Sequence, residues 1–180
     1  MWRALAVIGT CVFALFLLPS FRLITQSQSI NLTDKEVAYQ LPYSGLLPDH
    51  PLYPLKKLRD FLLVSTTRDN VKKAQLHLNL SNRMFSESLG LAQKAKDGAA
   101  LDHMRKAQEE FFRVMPAIQD AKKQGGAYPN DFIDELYLSN AKHREVIAEV
   151  LKKTTSTNVQ EVENMLKRNE EAKQLISTLP

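Results

Sequence analysis

A chain of 180 residues with 44% hydrophobic content can bury one sizeable core, so a single domain with appendages is expected. Setting aside Arg3 and Arg22 leaves 22 of the 24 basic residues against 20 acidic ones, so a pI near 9.1 gives no argument for nucleic acid. The single cysteine, Cys11, excludes an internal disulfide, and stability must come from packing.

From the N-terminus, one early charge, Arg3, precedes fifteen uncharged residues, Ala4 to Leu18, or eighteen counted through Phe21. That length suits a short spanning helix whose far end is relieved by a snorkelling Arg22. No Ala-x-Ala cleavage site follows the apolar run. The expectation is a signal-anchor over residues 1–24 that meets the lipid bilayer through residues 4–21, with cleavage and secretion as the alternative. With Arg3 inside, the rest of the chain faces the extracytoplasmic side.

Residues 25–50 form the expected connector, polar as far as Gln40 and proline-rich beyond it. The sequons at Asn31 and Asn79 match a pattern too common by chance to carry weight. In "LPYSGLLPDHPLYPLKK", Pro42, Pro48, Pro51 and Pro54 fix φ and bias the residues before them toward extended conformations. "PDHP" reads as a turn, and Pro54 fits the first turn of a helix. Two placements of the connector are open. It could strap across the helices, burying Tyr39, Tyr43 and Tyr53, or it could be an extended spacer.

Residues 51–180 then read as helical, rich in alanine, leucine, lysine, glutamate and glutamine. Leu55, Leu58, Phe61 and Leu62 share one face of the first helix. Thr66 and Asp69 match a capping box before a stripe of Val71, Ala74, Leu78, Phe85, Leu89 and Ala92, ending at Asp97-Gly98. The third stripe is Leu101, Met104, Ala107, Phe111, Val114, Ile118 and Ala121, closed by Gly125-Gly126. Pro116 inside it predicts a kink near Phe112 or a frayed last turn. A fourth helix buries Ile133, Leu136, Tyr137, Ile147 and Val150. A fifth, capped by Thr157 and Gln160, buries Val159, Val162, Leu166, Ala172 and Ile176. Short loops between long helices predict an all-α fold: an antiparallel helical bundle or paired helical hairpins behind the N-terminal membrane-anchor helix. Lysine pairs near helix ends and acids near helix starts complement the helix dipoles and need no ligand to explain them.

"GLLPDHPLYPLKKLRD", Gly45 to Asp60, followed by "NVKKAQLHLNLSNR", resembles a bacterial domain family of unknown function whose signature precedes a helical region. Gly45, Leu47, Pro48, Asp49, Pro51, Tyr53 and Pro54 carry the resemblance; Ser44 stands where the pattern more often has proline. The similarity runs from Leu41 to about Lys153. It implies an envelope-associated helical domain and supplies no activity. Lys94 to Phe111 is also similar to part of a tetratricopeptide unit, but no second unit recurs, so simple hairpin packing accounts for it.

No constellation of catalytic residues is legible. His50, His77, His103 and His143 lack a ligand-type residue three or four positions away, so no helix presents a two-ligand metal face. Adjacent acids such as Glu109-Glu110 diverge by about 100° on a helix and read as surface. Neither a phosphate loop nor a nucleophile elbow is present. Ser81, Ser86 and Ser88 read as packing or surface positions. The expectation is therefore no enzyme, no cofactor and no metal. Of Phe111 and Phe112 only one can point fully inward, which makes Phe112 the candidate partner contact. A membrane-anchored extracytoplasmic scaffold or binder of another envelope protein fits best. The alternatives are a metal- or ligand-responsive envelope sensor and a secreted peptide-binding chaperone-like module.

Overall fold

The computed structural model describes residues 37–129, 131–153 and 159–179. The expected anchor, the tether as far as residue 36, and Thr157 of the expected last capping box lie outside the described residues. Five helices follow one another: α1 Tyr53–Thr66, α2 Asn70–Gln93, α3 Asp97–Lys123, α4 Phe132–Lys153 and α5 Val159–Ser177. Every helix or strand assigned among the described residues is a helix, as the composition predicts.

The ends of the helices have local causes, two of them different from expectation. Asp69, not Thr66, caps α2, accepting from the backbone N–H of Val71 at 2.9 Å and of Lys72 at 3.3 Å. Thr66 belongs instead to the last turn of α1, where its hydroxyl donates back to the Leu62 carbonyl at 2.7 Å. Helix α2 stops at Gln93, short of Gly98, because Ala95 takes a left-handed conformation with φ 55°. Ala95 N and Lys96 N donate to the carbonyls of Ala92 and Leu91, the paired bonds of a Schellman ending. Gly98 falls in the first turn of α3. The same ending closes α3 with the residue type expected there: Gly125, φ 73°, and Gly126 donate to Lys122 and Ala121. Helix α3 runs through Pro116, which is exposed, so the freed backbone carbonyl a turn earlier can meet water rather than core.

Helices α2 and α3 form one antiparallel hairpin, and α4 and α5 a second; the hairpins join with α2 against α4 and α3 against α5. Helix α1 lies outside this four-helix unit, on α2. The core has two apolar ends. One gathers Phe85, Leu89, Leu101, Met104, Ile147 and Val162; the other gathers Leu78, Phe111, Ile118, Phe132, Leu136 and Ile176.

Between them runs a belt of buried polar side chains. Ser81 donates to the Ala107 carbonyl and Gln108 to that of Met165, both at 2.8 Å, tying α2 to α3 and α3 to α5. Asn140 and Asn169 exchange bonds across α4 and α5. His143 stacks on Phe85 with centroids 3.8 Å apart, and its Nε2 lies 2.7 Å from Asn82 Oδ1. These bonds penalise any slip of one helix along another, because a slip would strand buried donors.

Candidate functional site

The proline-rich connector is docked on the bundle from its first described residues, which selects the strap over the spacer. Val37 N donates to Glu145 Oε1 at 2.7 Å, and Asn82 Nδ2 donates to the Tyr39 hydroxyl at 2.8 Å. Leu41 is wholly buried in the core end formed by Phe85 and Leu89. Tyr39 and Tyr53 engage the helices, whereas Tyr43 stays 44% exposed.

Beyond Leu41 the residues that carry the resemblance each do a definable task. Gly45 takes φ 65°, a backbone state open to glycine at little cost. The turn there brings the carbonyls of Ser44 and Leu46 to Lys56 Nζ, at 2.6 and 3.1 Å. Leu47 lies on Gly90 of α2 so closely that a Cβ at position 90 would stand 3.0 Å from a Leu47 methyl carbon. Two successive turns follow, His50 N bonding to the Leu47 carbonyl and Tyr53 N to that of His50. Pro48 and Pro51 each occupy the second position of a turn, where a fixed φ near −65° is already correct. Asp49 accepts from Lys94 at 3.0 Å and Lys96 at 2.9 Å, so the turn is clasped to the α2–α3 loop. Those hydrogen bonds, Lys96 first, hold its carboxyl down at about 2. Lysines near a helix end are explained by the helix dipole alone, and Asp49 lies 45 and 47 positions away, so spacing along the chain does not reveal this clasp. His50 is an exposed turn residue whose Nδ1 accepts from Leu52 N. Pro54 lies in the first turn of α1.

Helix α1 is mounted polar side in. Its Tyr53, Lys56 and Asp60 face the bundle. Glu87 of α2 is only 1% exposed, and its two oxygens gather the Lys56 ammonium, the Tyr53 hydroxyl at 3.0 Å and His103 Nε2 at 2.6 Å. Asp60 bridges Arg83 of α2 at 3.0 Å and its neighbour Arg59 at 2.7 Å. Burial, and after it the Glu87 charge, pushes the Tyr53 phenol up, so it remains a donor. Burial also pulls the Lys56 ammonium down, opposed by Glu87. A buried carboxylate with three partners is a fastening: removing any one of them by substitution, with α1 still in place, leaves the others desolvated and short of a partner.

The opposite side of α1 is apolar and turned to solvent. Leu52, Leu55, Leu58, Leu62 and Leu63 are about half exposed and Phe61 is 65% exposed. The periodicity places Leu55, Leu58, Phe61 and Leu62 on one face; their outward direction comes from the polar contacts of the other face. Phe112, the candidate contact, is half-buried against the core with the Arg168 guanidinium 5.1 Å from its ring centre, while Phe111 is buried. That pair lies on the α3–α5 side, away from α1.

His77 pairs with Glu110 at 2.8 Å, His103 with Glu87, and His143 is enclosed. Among the described residues no three of His, Cys, Asp and Glu gather as metal ligands would. Nor is any described helix long and apolar enough to cross a membrane. A crevice beside His143, lined by Gln108, Phe112, Asn140 and Arg168 among others, has about 10 Å³ of room, enough for one water.

Against known sequence families, residues 45–157 match the model of DUF5667, a domain of unknown function. The chain belongs to that family. The DUF5667 match begins at Gly45 inside the strap, takes in α1 to α4, and stops before α5. It bears out the expected membership of a family of unknown function. No curated protein and no solved structure matches the chain.

Proposed function

We propose that this chain is a non-catalytic binding module, tethered to a membrane by residues 4–21, whose helical bundle stands on the extracytoplasmic side and engages another envelope component. The observation that carries the reading is the mounting of α1, polar side fastened to Glu87 and Arg83, apolar side presented outward. A helix of a self-sufficient domain puts its leucines inward; contiguous exposed apolar surface marks a contact yet to be made. The uncharged run from Ala4 to Phe21 supports the tether. Phe112 under Arg168 is the candidate contact for a protein partner on the other side of the bundle.

The test is topological. A tag placed after Pro180 should sediment with membranes through an alkaline wash and be removed by protease added to intact cells. A tag found in the soluble cytosolic fraction, or protected in intact cells and digested only after lysis, overturns the reading.

A further inference from the structure

We infer that the outward face of α1 docks on the surface of an anionic lipid bilayer, with Leu55, Leu58, Phe61 and Leu62 entering the headgroup layer. This rests on the tether proposed above and adds to it a second, peripheral membrane contact. The geometry suits a surface. The four side chains stand on one helix that is held from behind, so no rearrangement is needed to present them.

Charge favours the same occupant. The one acid of α1, Asp60, is turned inward and taken by Arg83 and Arg59. Lys57 is exposed beside the apolar face, and Arg68 is exposed just after the helix. The helix therefore offers apolar side chains flanked by cations, the pattern of interfacial helices on anionic membranes.

Size argues against a second copy. A 14-residue helix is ~21 Å long and ~10 Å wide, so its footprint is on the order of 200 Å². A stable protein interface needs ~800 Å² on each partner. A bilayer imposes no such minimum, because the tether keeps the helix at high local concentration and a weak contact suffices. Fifteen residues, 22–36, separate the apolar run from the first described residue, and fully extended they reach at most ~50 Å. The bundle cannot leave the neighbourhood of the membrane that holds residues 4–21.

The test uses the full chain with Cys11→Ser, reconstituted into vesicles of phosphatidylcholine alone or mixed with phosphatidylglycerol. An environment-sensitive label is placed at Leu58→Cys, at Phe61→Cys, or at Gln119→Cys as an exposed control on α3. Flotation after alkaline washing reports the tether independently of the label. The expected result is flotation in both lipids, with the labels at 58 and 61 shifted to the blue and quenched severalfold less by iodide in the anionic vesicles only. The label at 119 should not respond. Leu55→Glu with Phe61→Glu should leave flotation intact and abolish the response at 58. Flotation with labels that stay aqueous in both lipids overturns the docking and spares the tether. Failure to float overturns both. Shielding in detergent without lipid overturns it in favour of a second copy if it grows with protein concentration, and in favour of the chain's own apolar run if it vanishes on deleting residues 1–24.

Discussion

The ammonium of Lys56 and the carboxylate of Glu87 meet in the seam between α1 and α2, where the acid is 1% exposed and the lysine side chain 10%. Glu87→Leu removes the shared partner of Lys56, Tyr53 and His103, and should destabilise the chain by about 3 kcal/mol, the cost of leaving a buried charge unpaired. Lys56→Met combined with Glu87→Leu should recover much of that loss, since no orphaned ammonium remains. Urea unfolding of the two single variants and the double one measures the coupling; strict additivity would remove Glu87 from its role as fastener.

His143 makes stability depend on acid. Burial drives its imidazole from 6.5 to about 3, so between those values the unfolded chain takes up a proton that the folded chain refuses. A depressed pKa in a base costs nothing above pH 6.5 and removes stability as the pH falls toward 3, at up to ~1.4 kcal/mol per unit. Denaturant midpoints from pH 8 to 4 should fall more steeply for the native chain than for His143→Gln. Parallel curves would show that the ring titrates normally in the fold.

Ala95 holds the left-handed position that ends α2, and it does so at a cost glycine would not bear. Ala95→Gly should raise stability by about 0.5–1 kcal/mol, the relief of the Cβ clash exceeding the entropy added to the unfolded chain. A lower thermal midpoint for the variant would contradict the assigned backbone conformation.

Gly90 leaves the space that Leu47 fills. Gly90→Leu should push the strap from α2 without disturbing the four-helix core, so limited proteolysis should cut near the exposed Tyr43 severalfold faster while helicity by circular dichroism is kept. Unchanged cutting would mean that Leu47 does not hold the strap.

Two phenylalanines separate the outward face from the core. Phe61→Ser should change stability by less than about 0.5 kcal/mol, as befits an exposed side chain. Phe111→Ala should cost about 3–5 kcal/mol through the cavity it leaves. Comparable losses from the two would show that α1 packs the other way round.

The stripes of α2 to α5 were legible because burial repeats with the helical period. Ala74, Leu78, Phe85, Leu101, Met104, Phe111, Leu136 and Ile147 are all buried where spacing puts them. Periodicity names a face and not its direction, which is why Leu55, Leu58, Phe61 and Leu62 could be grouped while their exposure stayed hidden. The missing information was three-dimensional: Glu87, His103 and Arg83 come from two other helices, and no spacing along one helix shows that they converge under Tyr53, Lys56 and Asp60. The end of α2 was misplaced at Gly98 because glycine is the usual occupant of a left-handed cap, and Ala95 there is the exception. The belt around His143 was invisible for the same reason as Glu87, its partner Asn82 lying 61 positions away.

Because Val37, Tyr39 and Leu41 are fixed on the bundle before the chain ever reaches α1, a pull arriving from the N-terminal side is first resisted there. The load spreads into α2 and α4 through Asn82 and Glu145, and the seam at Lys56 lies mechanically downstream, sheltered from it.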